Sequence, residues 1–162
     1  MERVFIGVGS NIEPRQDYIQ KAKILLSCHP RIQFLQSSHF YETKPEGVTF
    51  PQGDFLNAVW EIQTTLLPHE LLKTLHAVEK TLGRVRKPGV RNEPRTLDLD
   101  ILFFGDQVLD LPELQIPHPR LSNRWFVLKP MWDLAAEFVD PVSGKSICEL
   151  LDECRGNSHE KS

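Results

Sequence analysis

Two aspartates, Asp98 and Asp100, stand two residues apart in the apolar segment 96–104. The segment reads as a strand, and side chains two apart on a strand project from the same face. Asp is depleted in strands, and two carboxylates about 7 Å apart repel each other. A hard cation such as Mg²⁺ would relieve that repulsion, because it binds carboxylate oxygens. The pair is therefore a candidate metal site, and the plain alternative is the solvated outer face of an amphipathic strand.

A basic run stands immediately before this strand. Between positions 84 and 95 there are five cationic side chains and one acid, Glu93, which is a local excess of +4. Guanidinium groups match phosphate oxygens, and proteins normally bind Mg²⁺ through one or two carboxylates plus substrate phosphates. Acids beside arginines therefore indicate phosphoryl transfer from a nucleotide, and a solvated basic loop is the alternative. The cationic residues are Arg84, Arg86, Lys87, Arg91 and Arg95.

Bulk composition limits the classes of protein to consider. The 162 residues are 40% hydrophobic and 25% charged, which predicts a single domain over 1–162 with one real core. No apolar run is long enough for a membrane span, and no export signal opens the sequence, so we expect a cytoplasmic protein. The net charge of −3 argues against a nucleic-acid partner. The three cysteines have neither disulfide nor zinc spacing.

Hydrophobic periodicity predicts how these residues are positioned. Strands are expected at 4–8, 32–41, 55–65 and 96–104, with helices at 14–28 and 68–82. The order βαββαβ predicts an α+β fold, a ferredoxin-like sandwich with two helices on one face of a mainly antiparallel sheet. Residues 108–111 are expected to start a small hairpin or an edge strand. The remaining residues are expected to form C-terminal helix and strand additions, with a short final helix at 147–151. All three tryptophans are predicted to lie in the core: Trp60, Trp125 and Trp132.

The segment Arg91-Asn-Glu-Pro-Arg-Thr-Leu-Asp-Leu-Asp-Ile-Leu102 resembles the signature of the 6-hydroxymethyl-7,8-dihydropterin pyrophosphokinase family, Arg-x-Gly-Pro-Arg-Thr-x-Asp-x-Asp. The resemblance implies that diphosphate passes from ATP to the pterin's hydroxymethyl group and that AMP is released. It also implies a monomeric enzyme of folate synthesis that uses two Mg²⁺ ions. Further landmarks follow in family order: Gly9-Ser-Asn11, Phe40-Tyr-Glu-Thr43, Phe55-Leu-Asn57, Glu79 with Gly83-Arg-Val-Arg86, Pro117-His118, and Asn123-Arg-x-Phe126.

The same resemblance implies a role for individual residues. Asp98 and Asp100 would hold both metal ions, and Arg84 and Arg95 would stabilise the transferring group. The other implied ATP contacts are Glu79, Arg86, Arg91, Ile101, His118 and Arg124. The implied pterin contacts are Thr43, Lys44, Glu46, Phe55, Asn57, Asp98 and Phe126.

Three positions depart from the family pattern, and other functions stay open. Asn92 stands where Trp is frequent, Glu93 where the signature has Gly, and Phe55 where Tyr is common. One alternative is therefore a weakly active relative, and another is a ferredoxin-like nucleic-acid-binding module that uses the basic run and its aromatic residues. A nucleotide-binding P-loop at Ser143-Gly-Lys-Ser146 is rejected, because Val139 occupies the position of the required first glycine.

Overall fold

Five strands of the chain form one antiparallel sheet, with helices on both of its faces. The computed structural model describes residues 1–44, 53–83 and 96–161, the last five of these by their backbone only. The elements, in chain order, are β1 (Glu2–Ser10), α1 (Arg15–Ser27), β2 (Ile32–Ser37), β3 (Tyr41–Thr43), β4 (Phe55–Thr64), α2 (Pro68–Thr81), β5 (Asp98–Phe104), β6 (Leu109–Leu111), β7 (Leu114–Ile116), a 3₁₀ turn (Leu121–Asn123), α3 (Trp125–Ala135) and α4 (Ile147–Lys161).

The strand order is β2-β4-β1-β5, and β3 extends the sheet by pairing with another stretch of β4. All the pairings are antiparallel, so the predicted ferredoxin-like arrangement is confirmed. The predicted strand 32–41 is in fact two strands. Between them, the Ser38 hydroxyl accepts a hydrogen bond from the Val59 amide at 2.8 Å, and this side-chain bond interrupts the ladder.

The first core lies between the sheet and the helices α1 and α2. The apolar alternation of β1 supplies Val4, Ile6 and Val8 to it. From α1 the buried residues are Ile19, Ala22 and Leu26, while the adjacent Leu25 is 39% exposed. The reason is that residues 19, 22 and 26 define the buried side of α1, and Leu25 falls at its edge.

The second core lies on the opposite face, under α3 and α4. It includes Phe5, Leu102, Leu128 and Ile147, so the C-terminal additions cover part of the sheet. The prediction for the tryptophans was correct only for Trp60. The side chains of Trp125 and Trp132 are 42% and 41% exposed, because both fall on one side of α3, displaced from its buried side.

The C-terminal elements differ from expectation mainly in length. Of the hairpin and the edge strand expected near 108–111, the structure shows the hairpin, which β6 and β7 form. The final helix was expected to end near residue 151, but α4 extends to Lys161. Across the ranges that the structure describes, no helix has the length and apolar character needed to cross a bilayer.

Candidate functional site

Two rows of residues cross the sheet where β1 lies between β4 and β5. Gly9 of β1 lies opposite Asn57 of β4 on one side and opposite Asp98 of β5 on the other. Gly7, also on β1, lies opposite Asp100 of β5. Directly paired residues project from the same face of a sheet, so both aspartates and Asn57 share one surface. The two glycines between them carry no side chain.

The glycines leave an open floor, which we call the sheet cleft. A β-carbon added at Gly9 would lie 3.4 Å from Asn57 Oδ1, and one at Gly7 would lie 3.2 Å from a methyl group of Leu102. Larger side chains at either position would fill the space above the sheet. The residues that line the sheet cleft are Gly7, Val8, Gly9, Phe55, Asn57, Ala58, Asp98, Asp100, Leu102, His118, Arg124, Phe126 and Val127.

The aspartate pair in the sheet cleft fits a hard divalent cation. Both side chains are half-buried and alternate with the buried Leu99, as the period of a strand requires. Carboxylate oxygens are the ligands that Mg²⁺ prefers, and Mg²⁺ usually keeps several oxygens from water or phosphate. Among the described residues, no group of three or more His, Cys, Asp or Glu side chains is arranged to hold a metal. Two carboxylates leave much of the coordination sphere of Mg²⁺ to other oxygens, so the pair suits an ion that arrives with a phosphate ligand.

Asn57 has a defined orientation at the edge of the sheet cleft. Its Nδ2 group donates to Thr43 Oγ1 at 2.8 Å and to the Tyr41 carbonyl at 3.2 Å. Both amide hydrogens are used by these bonds. The side-chain oxygen, which lies above Gly9, is then the group that Asn57 offers to a ligand. The sheet cleft therefore presents a hydrogen-bond acceptor at this point.

Aromatic side chains form the walls of the sheet cleft. Phe55 stands at the start of β4, and Phe126 stands at the start of α3 on the other side. The Arg124 guanidinium lies over the Phe126 ring, with Cζ 5.5 Å from the ring centroid. Aromatic walls and a polar edge are the features that bind a flat heterocycle with an amide-like edge.

His118 joins the sheet cleft to a second depression. Its amide donates to the Leu102 carbonyl at 3.1 Å, and its Nδ1 accepts from the Arg120 amide at 3.2 Å. Burial, and then the charges of Arg124 and Arg120, lower the pKa of His118 to about 4 despite the opposing effect of Asp98. The ring is therefore neutral near pH 7. With Nδ1 as an acceptor, Nε2 carries the proton and can donate it in a hydrogen bond.

The second depression, which we call the edge cleft, runs along β5 on the side away from β1. It lies between α2 and the β6–β7 hairpin, and it shares Asp100 and His118 with the sheet cleft. A ligand that occupied both clefts would therefore pass the aspartate pair. The residues that line the edge cleft are Leu72, His76, Leu99, Asp100, Ile101, Pro112, Glu113, Leu114, Gln115, His118 and Pro119.

Glu79 lies inside the protein rather than in either cleft. Only 1% of it is exposed, and its Oε2 accepts a hydrogen bond from the Leu99 amide at 2.8 Å. Leu99 lies between the two aspartates, so this carboxylate holds the outer edge of β5 where they project. Sequence reasoning expected Glu79 near a nucleoside, and that expectation stays a prediction. The geometry also gives Glu79 a role in fixing the strand.

Replacing Glu79 by Ala is expected to destabilise the protein by about 2 kcal/mol or more, because the buried Leu99 amide loses its acceptor and a cavity forms. Glu79→Gln keeps an acceptor of the same shape and should lose less. Denaturant unfolding of both variants measures the difference. Equal stabilities of the Ala and Gln variants would contradict the assigned bond.

The structure brings together most of the predicted site residues that it describes. Asp98, Asp100, Asn57, Phe55, Phe126, His118 and Arg124 line the sheet cleft, and Ile101 lines the edge cleft although its side chain is buried. Thr43 contacts Asn57, whereas the adjacent Lys44 is exposed and lines neither cleft. The predicted residues that lie outside the described ranges are Arg84, Arg86, Arg91, Arg95 and Glu46, with the variant positions Asn92 and Glu93.

Sequence reasoning missed several residues that line the clefts. Gly7 and Gly9 alternate in β1 with buried residues, and this pattern was a usable signal for an open sheet face. Leu72 and His76 are four residues apart on α2, so they share one side of the helix, but a single Leu and His carry no specific signal. The hairpin residues Glu113 and Gln115 could be assigned only after the hairpin was seen to pack along β5.

The chain matches one family model over most of its length. Residues 5–136 match the model described as 7,8-dihydro-6-hydroxymethylpterin-pyrophosphokinase (HPPK). This range contains every candidate site residue discussed above.

Individual proteins and structures agree with that match. The chain is 40% identical over 148 residues to a 2-amino-4-hydroxy-6-hydroxymethyldihydropteridine pyrophosphokinase of Synechocystis sp., covering 91% of this chain and 74% of the relative. It is 41% identical to the protein of that name from Pseudomonas aeruginosa, covering 95% and 93%. Plasmodium falciparum HPPK-DHPS crystallised with pteroate superposes with a TM-score of 0.76 at 15% identity, a likeness of fold. That alignment covers 98% of this chain and 43% of the Plasmodium chain.

Proposed function

The chain belongs to the 7,8-dihydro-6-hydroxymethylpterin-pyrophosphokinase family, and on that premise we propose that it transfers diphosphate from ATP to 6-hydroxymethyl-7,8-dihydropterin. The reaction is a step of folate biosynthesis. The pterin's hydroxymethyl oxygen attacks the β-phosphorus of ATP, the bond from that phosphorus to the α-phosphate bridging oxygen breaks, and AMP leaves. The hydroxyl proton passes to solvent as the new P–O bond forms.

The observation that carries the proposal is the meeting of two clefts at Asp100, one member of the aspartate pair. The sheet cleft and the edge cleft share Asp100 and His118, so ligands in the two clefts approach each other there. Transfer between two bound substrates depends chiefly on such alignment and on neutralising phosphate charge. Either cleft alone would support only a binding function.

We assign the pterin to the sheet cleft. Asn57 Oδ1 accepts a hydrogen bond from the ring's amino or amide N–H, since its own amide hydrogens are already donated to Tyr41 and Thr43. Phe55 and Phe126 contact the two faces of the ring, and their positions on either side of the cleft support this. The hydroxymethyl group then points toward the aspartates. Lys44 and Glu46 are proposed as rim residues on the motif match alone.

We assign the nucleoside of ATP to the edge cleft and its phosphates to the region around Asp100 and His118. The Nε2–H group of the neutral His118 ring donates to a phosphate oxygen, and Arg124 places a positive charge in the sheet cleft close to His118. Ile101 contacts the nucleoside from the strand edge. The proposed phosphate contacts that rest on the signature alone are Arg84, Arg86, Arg91 and Arg95.

Asp98 and Asp100 are proposed to hold two Mg²⁺ ions together with the phosphates of ATP. The ions supply neutralisation of the charge that develops on the transferring diphosphate. The contribution of the protein is a fixed separation of the two carboxylates, because both belong to one strand whose edge is bonded to Glu79. Asp98 also faces the expected position of the hydroxymethyl group. Monomeric state, a single domain and cytoplasmic location remain predictions.

The test of the function is AMP formation from ATP and 6-hydroxymethyl-7,8-dihydropterin, followed by chromatography. We expect AMP in equal amount to the pterin diphosphate, only when both substrates and Mg²⁺ are present. Formation of ADP instead, or of AMP without the pterin, would contradict the assigned reaction. Turnover far below that of the Pseudomonas aeruginosa relative in the same assay would favour the weakly active alternative, and tight nucleic-acid binding without turnover would favour the binding module.

A further inference from the structure

A hydrogen bond ties together the two walls of the sheet cleft. The Tyr41 hydroxyl on β3 donates to Asp133 Oδ2 on α3 at 2.5 Å, although the two residues are 92 positions apart in the chain. β3 contributes to the Asn57 side of the cleft, because Tyr41 pairs with Asn57 across the sheet. Helix α3 contributes Phe126 and the preceding Arg124 to the opposite side. The bond therefore spans the cleft's two halves.

The geometry of the bond indicates a strong one. The distance from the Tyr41 hydroxyl to Asp133 is in the short range typical of a hydroxyl that donates to a carboxylate. The Asp133 side chain is only 11% exposed. Lys129 Nζ lies 3.5 Å from the same carboxylate and compensates its charge. Burial, and then the hydrogen bond to Asp133, raise the pKa of Tyr41 to about 12. The hydroxyl thus stays a donor throughout the pH range of an enzyme assay.

Tyr41 is connected on both sides to groups assigned to the pterin. Its carbonyl accepts one of the two Nδ2 hydrogens of Asn57 at 3.2 Å. Its ring meets the Trp125 ring edge to face, with centroids 6.4 Å apart, and Trp125 meets Phe126 in the same way at 6.3 Å. A displacement of Tyr41 would therefore change both the orientation of the Asn57 amide and the support of the Phe126 ring.

We propose that Tyr41 and Asp133 form a latch that sets the distance between the Asn57 side and the Phe126 side of the pterin site. The inference rests on the proposed function, and it deepens that function by naming positioning residues that do not themselves touch substrate. Because the latch lies on the pterin side, its loss should weaken pterin binding and leave the nucleotide site unchanged. The edge cleft contains neither residue.

The decisive variant is Tyr41→Phe, which removes the donor and keeps the ring. We expect the KM for the pterin to rise about 5- to 10-fold, because one charge-assisted hydrogen bond is lost. The kcat and the KM for ATP should stay within about twofold of wild type. Tyr18→Phe is the matched control, because it removes the other tyrosine hydroxyl of the chain from α1, outside both clefts. It should leave both KM values unchanged.

Variants of the acceptor separate positioning from plain stability. Asp133→Asn keeps an oxygen acceptor and should restore most of the pterin affinity, whereas Asp133→Ala should match Tyr41→Phe. The double variant Tyr41→Phe with Asp133→Ala should be no worse for the pterin KM than either single one. Pterin binding in the presence of a non-hydrolysable ATP analogue, measured by calorimetry, gives the same comparison without turnover.

Each result has a distinct meaning. If the variants lower the melting temperature but leave the pterin KM and the calorimetric affinity at wild-type values, the latch is only a structural contact and the proposal is wrong. Additive effects of the two changes would also overturn it. If wild type itself forms no AMP and binds no pterin, the proposed function fails instead, which the wild-type control in the same series reports directly.

Discussion

Asp100→Asn is expected to lower kcat by about 10³-fold, because one of the two carboxylates that neutralise and hold the metal–phosphate complex is lost. The substitution keeps the shape of the side chain and its place on β5. Asp98→Asn should have an effect of similar size, since both residues lie on the same face of one strand. Release of AMP under saturating substrates measures both variants. Raised Mg²⁺ should recover at most part of the loss, because weakened ion binding accounts for only part of it.

Asp106, which lies just beyond the far end of β5, provides a matched control. Asp106 follows β5 in the chain and is exposed, so Asp106→Asn makes the same change of charge away from both clefts. It should retain wild-type turnover. The affinity for an ATP analogue, with and without Mg²⁺, gives an independent readout: Mg²⁺ should strengthen binding to wild type more than to Asp100→Asn. A wild-type kcat in both Asp98→Asn and Asp100→Asn would remove the pair from the reaction.

The fold and the aspartate pair followed from the sequence because both depend on local periodicity. The period of two in β5 puts Asp98 and Asp100 on one face whatever the rest of the chain does. The order of strands and helices was likewise enough to predict the ferredoxin-like arrangement. In both cases the pattern is written in neighbouring residues, and the structure agrees with it.

What the sequence did not reveal depends on register and on tertiary contacts. The alignment of Gly9 between Asn57 and Asp98 requires the pairing of three strands that are far apart in the chain. A shift of one residue would have turned Asn57 to the other face. The exposure of Trp125 and the burial of Glu79 likewise depend on what packs against α3 and α2. Periodicity contains no information about these partners.

The register also explains why one small surface can serve two substrates. Gly7 and Gly9 remove side chains from the middle strand, so the polar groups of β4 and β5 face each other across open space. The outer edge of β5 is left for the second cleft, and Glu79 bonds the strand from that side. A single strand therefore presents its aspartates to one cleft and its edge to the other, which accounts for the shared Asp100.

The second large effect is expected at Asn57. Asn57→Ala should lower kcat/KM for the pterin by about 10²-fold or more, because a ring N–H buried in the cleft would lose its acceptor. The KM for ATP should stay near the wild-type value, since Asn57 does not line the edge cleft. Gln63→Ala, which truncates another amide side chain further along β4, is the matched control and should behave as wild type.

Thr43→Val tests the orientation of the Asn57 amide directly. The change removes the hydroxyl that accepts from Nδ2 at 2.8 Å but keeps the shape of the side chain. The amide is then held only by the Tyr41 carbonyl, so we expect a smaller rise in the pterin KM, about 5-fold. Steady-state kinetics with the pterin varied at saturating ATP measures both variants. If Thr43→Val raised the pterin KM as much as Asn57→Ala, the Thr43 side chain would bind the pterin itself. An unchanged pterin KM in Asn57→Ala would show that the ring is held elsewhere.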